Sequence, residues 1–541
     1  MEKFIKKLIN NKLFLFIVPN LIYISQLCYY YNINFKSFTE VLFYEVLIIS
    51  GIFFLINCLV YLFLSRVLRD KQKIFFIMVF ISFFYFIQFN LIAFLLYVVF
   101  ILILIINFKK YVTFKLDSGI IFFSFIILAL FSYNFLFSTY YALYSIFNSR
   151  EYNYELDIEV DKDLDTPNIY WIHCDGMMGI GGIKKYFNYN NTYLRNYFDD
   201  NNYSYNEDAT LVAGHTTQKA LVALFNPYYY DNFYEEYLTE LENSYLDRKI
   251  NTSFLVGYNE LEEKRLNNEL FKALEKKNYT TVAISEFNPY TSFYTNYFYD
   301  YYYFSYDNRY IDSNNNDFRL LKNNSKMMMQ SYIRFIHLKS LIYRTLFKDI
   351  ANDVNYLNYD YVDYENFDTS NYKYIDESMN KSNYWPAKAI LKGLDESMSI
   401  DDKKFVFVNF KLNHDPYTFD REGNVIDESM QYIANYYLGN YIYSTYLLVD
   451  MLEYIKNNDD DAIIIVQGDH GIHTIKDEYM LEIFSSNMKD VQEIRNSVIS
   501  AYYIPDKYKN GDEVYLNNPL NISRYIVNSY IGNNYDYIET K

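Results

Sequence analysis

The chain has 541 residues, of which 21% are aromatic and 21% are charged, and its formal net charge is −17. The many aromatic side chains exclude a disordered protein, and three Cys in this length exclude a disulfide-rich secreted module. The acidic charge argues against a nucleic-acid partner.

Charge and hydropathy divide the chain into two parts. Residues 1–149 contain 12 Lys/Arg and 5 Asp/Glu, a net charge of +7, which leaves −24 on the remaining residues. The first part is almost continuously apolar, and each apolar span approaches the ~20 residues that cross about 30 Å of hydrocarbon. A buried soluble core is the alternative, but basic flanks on recurring spans argue against it. We predict five transmembrane helices, at about 13–31, 46–65, 74–89, 91–108 and 120–142.

Basic residues in the connections predict the orientation of these spans. They lie before the first span, after the second and after the fourth, whereas the other connections are almost free of them. This alternation predicts a cytoplasmic N-terminus in the plasma (inner) membrane. Five crossings place everything after about residue 145 on the outer side. The predicted domains are a transmembrane domain at 1–145, a linker at 146–165 and an extracytoplasmic catalytic domain at 166–541.

The second part predicts an α/β fold. Short apolar runs alternate with helix-like stretches near 259–277, 385–395 and 441–457, and the runs are 167–172, 280–285, 404–410, 462–467 and 498–504. Continuous apolar strands separated by helices indicate a mostly parallel sheet with helices on both faces. In such open sheets, ligands bind beyond the carboxyl ends of the strands.

Acidic residues and His follow three of the predicted strands. Asp175 follows the first strand, His414 follows the third, and the pair Asp469 and His470 follows the fourth. Of the six His, five lie in or beside such segments, namely His173, His215, His414, His470 and His473. A lone His is usually structural, but adjacent Asp and His at a strand end are typical of a metal site.

A fourth segment brings a hydroxyl group to the start of a predicted helix at 217–225. A Thr in this position is most often an N-cap. It also suits a nucleophile, because helix N–H groups hold an anionic phosphate and a divalent metal lowers the pKa of a hydroxyl. Thr217 is the preferred candidate, and Thr216 is the competing one.

These residues together resemble the alkaline phosphatase/sulfatase superfamily. The motifs are Pro-Asn-Ile-Tyr-Trp-Ile-x-x-Asp-Gly at 167–176, Thr-x-x-Ala-Leu at 217–221, His-x-Pro-Tyr at 414–417 and Gly-Asp-His-Gly at 468–471. Five spans before such a domain are similar to lipoteichoic acid synthase and to the lipid A phosphoethanolamine transferases. The resemblance covers about 165–225, 260–290, 400–475 and 495–532, and no role is assigned to 228–258 or 295–385.

The resemblance implies roles for individual residues. Asp175, Thr217, Asp469 and His470 would bind one divalent metal, Mn²⁺ or Zn²⁺, with room for a second, and Thr217 would also be the nucleophile. His414 would contact the substrate phosphate or transfer a proton, and His473 and His215 would serve the substrate or a second metal. Asp175 departs from the Glu that the lipid-head-group transferases usually carry. Gln467 stands where a small hydroxyl residue is expected, and Cys174 is read as a buried small residue.

The implied reaction is phosphotransfer. Thr217 would attack a phospholipid donor, and a phospho-Thr intermediate would pass glycerol phosphate or phosphoethanolamine to a cell-envelope glycan, polymer or glycolipid. The Thr segment lacks the Cys/Ser-x-Pro-x-Arg sequence that formylglycine sulfatases require. A phosphodiesterase, phosphatase or other hydrolase of the same superfamily is one alternative. A non-catalytic protein that binds a glycan or a partner is the other.

Overall fold

The computed structural model describes residues 11–35, 43–68, 71–84, 116–148, 158–213, 216–235, 238, 268–285, 299–305, 320–323, 360–362, 367–381, 385–427, 434–472 and 488–539. Two structural units divide the chain, one of which holds the apolar N-terminal helices and the other the sheet.

The N-terminal unit contains four described helices, α1 (Lys12–Phe35), α2 (Phe43–Val67), α3 (Lys71–Phe84) and α4 (Leu116–Asn148). Within them, Val46–Val67 and Ile120–Leu143 are long and apolar enough to cross a membrane, and Leu13–Tyr29 and Lys73–Ser82 form shorter apolar helices. The predicted spans 46–65 and 120–142 therefore coincide with helices of membrane-spanning length. Residues 85–89 and the predicted span 91–108 lie outside the described residues, so the five-helix bundle remains a prediction.

Buried amides connect these helices. The Asn57 amide on α2 donates to Asn20 Oδ1 on α1 at 2.8 Å, and both side chains are fully buried. The Asn134 amide on α4 donates to Ser25 Oγ on α1 at 2.9 Å. Hydrogen bonds of this kind hold helices together where apolar surroundings leave polar groups no other partner. These polar residues inside the predicted spans thus have a packing role.

The described residues of the second unit form a nine-stranded sheet. Its strands are β1 (Ile169–Cys174), β2 (Ser204–Tyr205), β3 (Thr280–Ser285), β4 (Tyr301–Ser305), β5 (Leu320–Asn323), β6 (Asp360–Val362), β7 (Lys404–Phe410), β8 (Ile463–Gly468) and β9 (Ser500–Tyr503). Their order is β2-β9-β8-β1-β7-β3-β4-β5-β6. β8, β1, β7, β3 and β4 are parallel neighbours, whereas the pairs β2–β9, β8–β9, β4–β5 and β5–β6 are antiparallel.

The expectation of a mostly parallel sheet is therefore corrected to a mixed sheet with a parallel centre. The apolar run 498–504 does form a strand, but β9 runs antiparallel to β8. A continuous apolar run indicates that a strand is covered on both faces. It carries no information on the direction in which the strand enters the sheet, so the antiparallel direction of β9 was not predicted.

Helices cover both faces of the sheet. They are α5 (Ile180–Phe187), α6 (Thr192–Asp200), α7 (Thr217–Phe225), α8 (Glu269–Lys276), α9 (Lys373–Lys381), α10 (Trp385–Met398), α11 (Ala434–Asn458), α12 (Met488–Asn496) and α13 (Ile522–Tyr530). A short helix, Pro227–Tyr229, continues into a π-helix, Tyr230–Tyr234.

Side chains of the central strand β1 alternate between the two faces of the sheet. Tyr170, Ile172 and Cys174 point to one face and belong to the main core, which α5, α6, α10 and α11 complete. Trp171, on the other face, contacts Phe225 of α7 edge to face, with ring centroids 5.2 Å apart. Successive side chains of a strand alternate in this way. Cys174 is fully buried, as predicted.

Candidate metal centre and active site

The site forms where three neighbouring parallel strands end. β8, β1 and β7 lie side by side, so the segments that follow them meet at one edge of the sheet. Asp175 follows β1, Asp469 and His470 follow β8, and His414 lies four residues beyond β7. The side chains of Asp175, Asp469 and His470 are each about 1% exposed. The predicted residues are therefore brought together in a buried position.

His470 presents a lone pair to two carboxylates. Its Nδ1 lies 2.7 Å from the carbonyl oxygen of Gly471, which can only accept, so Nδ1 carries the hydrogen. In the neutral ring Nε2 is then an acceptor, and it lies 3.5 Å from Asp175 Oδ1 and 3.3 Å from Asp469 Oδ2. Three acceptor atoms converging in a buried place repel one another unless a cation lies among them.

The separations fit a bound ion. Two ligand atoms at about 2.0–2.1 Å from one tetrahedral metal lie about 3.3 Å from each other. Asp175 Oδ2 is also buried and has no hydrogen-bond partner among the described residues. Asp and His side chains form two overlapping groups that can hold a divalent metal: Asp175, His414 and His470, and His173, Asp175 and Asp469. Carboxylate and imidazole donors together suit Zn²⁺ or Mn²⁺.

The backbone fixes the orientation of Asp469. Its Oδ1 accepts hydrogen bonds from two backbone N–H groups, that of Gly176 at 3.1 Å and that of His470 at 2.9 Å. The other carboxylate oxygen, Oδ2, is turned towards the imidazole of His470 and lies 3.3 Å from its Nε2.

Gly176 is required by the turn that follows Asp175. Its φ is +75°, and a Cβ there would lie 3.1 Å from the carbonyl oxygen of Asn413. Tyr437, fully buried on α11, donates to the Gly176 carbonyl at 2.8 Å and accepts the N–H of Met178 at 2.9 Å. The turn after β1 is therefore held against the segment after β7 and against α11.

Thr217 is the first residue of α7 and points its hydroxyl into the site. Its side chain is 5% exposed, and Oγ1 donates to Asp175 Oδ1 at 3.4 Å. Thr216 is the N-cap residue, and its side chain makes no capping hydrogen bond. Of the two candidate hydroxyls, that of Thr217 contacts a carboxylate of the candidate metal group.

His414 lies at the open side of the site. Its side chain is 21% exposed, and its ring centroid is 6.0 Å from that of His470. Nδ1 lies 2.8 Å from the carbonyl oxygen and 2.9 Å from Oδ1 of Asp415. Burial by itself lowers the pKa of His414, but the carboxylates of Asp175 and Asp415 outweigh it and raise the pKa. His414 is thus placed to meet a substrate that enters from solvent.

His173 received no role from the sequence, although it lies within this site. It is fully buried on β1, and its Nε2 lies 3.8 Å from Asp469 Oδ2. The signal that points to it is the spacing His-x-Asp at the end of a strand, because residues i and i+2 share a face. His215 and His473, also predicted to serve the site, lie outside the described residues, as does His337.

Comparisons with known proteins give weak similarities to solved structures. The integral membrane lipooligosaccharide phosphoethanolamine transferase A (EptA) from Neisseria meningitidis matches at 10% identity and a TM-score of 0.38, covering 91% of this chain and 90% of that chain. The C-terminal periplasmic domain of EptC from Escherichia coli matches at 10% identity and a TM-score of 0.37, over 70% of this chain and 86% of that one.

The lipoteichoic acid synthase LtaP from Listeria monocytogenes matches at 12% identity and a TM-score of 0.32, covering 65% of this chain and 70% of that chain. A structure of the EptC domain in complex with Zn is also similar, at a TM-score of 0.37. No protein-family model and no curated protein matches the chain. The roles proposed below rest on the site's own geometry.

Proposed function

We propose that the chain is a metal-dependent phosphotransferase that moves a phospholipid head group onto a cell-envelope glycan, polymer or glycolipid. The head group is glycerol phosphate or phosphoethanolamine. One observation carries this proposal: a Thr hydroxyl at a helix N-terminus lies against a buried group of two carboxylates and an imidazole whose acceptor atoms converge. A binding module has no need of such a hydroxyl.

Four residues have assigned roles at the metal. Asp175, Asp469 and His470 would hold it, and Thr217 would complete the ligand set with its hydroxyl. When bound, a divalent ion lowers the pKa of a nearby hydroxyl and neutralises charge on a phosphoryl group. The N–H groups of the first turn of α7 point towards the same region and favour an anion there.

The reaction has two displacements at phosphorus. First, Thr217 Oγ1 attacks the donor phosphodiester, the bond to the diacylglycerol oxygen breaks, and the Thr proton ends on that oxygen. A phospho-Thr that carries the head group remains. Second, an acceptor hydroxyl attacks the same phosphorus, loses its proton and regenerates the Thr hydroxyl. Positioning and electrostatic stabilisation supply most of the catalysis in such transfers.

His414 is proposed to move the proton in both steps. It is the most exposed of the described His in this group, so it can reach an oxygen of the donor or the acceptor. Its Nδ1 lies against the carbonyl oxygen and Oδ1 of Asp415, which orient the ring. The proton would pass to the leaving oxygen first and return from the acceptor hydroxyl afterwards.

The apolar N-terminal helices fit a donor that resides in a membrane. Val46–Val67 and Ile120–Leu143 have the length and composition to anchor the chain there. A domain tethered on the outer side would find phospholipid head groups within reach. The five-span topology, the cytoplasmic N-terminus, the domain limits and roles for His215 and His473 are parts of this proposal.

Intact-protein mass spectrometry tests the proposal. The purified full-length chain is incubated with mixed phospholipids and Mn²⁺ or Zn²⁺, beside Thr217→Ala and the matched control Thr216→Ala. We expect a mass increase equal to a phosphorylated head group in wild type and in Thr216→Ala, and none in Thr217→Ala. Release of free head group without an acceptor would favour the hydrolase. An adduct that persists in Thr217→Ala would overturn the assignment of Thr217 as the nucleophile. Absence of bound metal in the wild-type protein would overturn the assignment of the metal site.

A further inference from the structure

His173 is a buried imidazole whose ring nitrogens lack hydrogen bonds. Its side chain is fully buried, and neither nitrogen has a hydrogen-bond partner among the described residues. Leaving a buried polar group unsatisfied costs about 1–3 kcal/mol. The ring is stacked on Phe407, with centroids 5.4 Å apart and planes 24° apart. A Phe at this position could make the same stacking contact, so packing does not explain the two buried nitrogens. They need a bonding partner.

The distance from His173 to Asp469 fits a shared ion better than a direct bond. Nε2 lies 3.8 Å from Asp469 Oδ2, which is too long for a hydrogen bond. Two atoms bound at about 2.0–2.1 Å to one ion are separated by about 2.9–4.1 Å, depending on the angle at the ion. His173, Asp175 and Asp469 each offer a ligand atom, and these atoms lie within 4.8 Å of one another.

The sheet explains why His173 reaches the same place as Asp175. The two residues are separated by one position at the end of β1, so their side chains leave the chain on the same face. On the neighbouring strand β8, His173 pairs in register with Gln467, which precedes Asp469 by the same spacing. The Gln467 amide donates to its own neighbour, the carbonyl of Gly468, at 2.5 Å. At this register position, β1 therefore carries an imidazole and β8 carries an amide.

We propose that His173 is a further nitrogen ligand of the ion held by Asp175, Asp469 and His470, an inference that rests on the metal site of the proposed function. The donor set then contains two imidazoles and two carboxylates beside the Thr217 hydroxyl. Imidazole favours Zn²⁺, whereas carboxylate and hydroxyl oxygens alone suit Mn²⁺ or Mg²⁺. A second imidazole in the donor set thus favours Zn²⁺ over Mn²⁺ at this site.

Metal titration of the full-length chain in detergent tests the inference. The metal is removed with a chelator, and the affinities for Zn²⁺ and Mn²⁺ are measured by competition with a chromophoric chelator. We expect His173→Phe to weaken Zn²⁺ binding at least about tenfold and Mn²⁺ binding less than about threefold. Phe407→Leu is the matched control. It disturbs the same packing without removing a donor and should lower the Tm while leaving both affinities within about twofold.

X-ray absorption of the Zn²⁺-loaded protein gives a readout independent of activity. The number of imidazole nitrogens at zinc should fall by one in His173→Phe. If that variant fails to fold, His173→Asn, which keeps a polar side chain, gives the same comparison. Unchanged metal affinities in His173→Phe would overturn the role of His173 but leave the metal site standing. An equal loss of affinity for both ions, with an unchanged number of imidazole nitrogens at zinc, would do the same. A wild-type chain that binds neither ion overturns the metal site and the proposed function with it.

Discussion

His414 and His470 share one hydrogen-bonding arrangement in two different environments. Each donates Nδ1–H to the carbonyl of the residue that follows it, Asp415 at 2.8 Å and Gly471 at 2.7 Å. Their side chains differ in exposure, 21% for His414 and 1% for His470. Nε2 of His470 therefore faces two buried carboxylates, whereas the ring of His414 is partly exposed to solvent.

This difference predicts separate effects of the two His residues. We expect His470→Asn to weaken metal binding by about 10–100-fold, because it removes a donor from the buried group. We expect His414→Asn to leave metal affinity within about threefold and to slow head-group transfer by about 10²–10⁴-fold, as loss of a general acid–base does. Metal titration and transfer rates on both variants check this. An equal loss of metal affinity in both variants would contradict the assignment of His470 to the metal and of His414 to proton transfer.

Removal of the metal is expected to destabilise the second unit. Asp175 and Asp469 are both about 1% exposed, and without a cation their negative charges lie together in a buried place. A ligand at 100 times its Kd stabilises a protein by about 2.7 kcal/mol. Thermal unfolding should therefore shift to lower temperature with a chelator and recover with Zn²⁺ or Mn²⁺. In Asp469→Asn the chelator should lower the Tm much less than in wild type. An equal decrease in Tm in the two proteins would mean that the ion binds elsewhere.

Gly176→Ala tests the turn after β1. An added Cβ would combine a φ of +75° with a contact of 3.1 Å to the Asn413 carbonyl. We expect a loss of about 1–3 kcal/mol in the free energy of unfolding, together with weaker metal binding. Gly511→Ala is the control, because Gly511 has a φ of +98° but nothing within 4 Å of the added Cβ. A smaller loss in Gly176→Ala than in Gly511→Ala would contradict the role of the contact.

Asp450 on α11 predicts a pH dependence of stability. Burial raises its pKa to about 7, although its Oδ2 accepts the N–H groups of Tyr374 and Ile375 at 2.7 and 2.8 Å. In the unfolded chain the pKa is about 3.9. Between these values the unfolded chain binds fewer protons than the native one, so the stability that Asp450 contributes is present at low pH and is lost as pH rises towards 7.

Asp450→Asn keeps an oxygen acceptor for both N–H groups and removes the charge. The stability of the variant relative to wild type should therefore increase from about pH 4 to about pH 7, by a few kcal/mol at most, and then level off. Denaturant unfolding at several pH values measures this difference. A difference that does not change with pH would show that the Asp450 carboxyl titrates normally.

Some features of the site followed from local pattern. The run 167–172 and the residues at its end predicted both a strand and a ligand, and β1 and Asp175 are found there. Likewise the segment before Thr217 predicted a helix at 217–225, and α7 has those limits. Such predictions succeed because burial on both faces, helical periodicity and helix starts leave local patterns in the sequence.

Taken alone, the sequence determined the apolar N-terminal region, the buried strands, and which Asp, His and Thr stand at strand and helix ends. Only the tertiary structure decided that β9 enters antiparallel, that Thr217 rather than Thr216 contacts Asp175, and that His173 points at Asp469. The physical reason is that each of these facts is a contact between residues far apart in the chain. Local patterns record how deeply a residue is buried, whereas the order of strands in the sheet decides which residues meet.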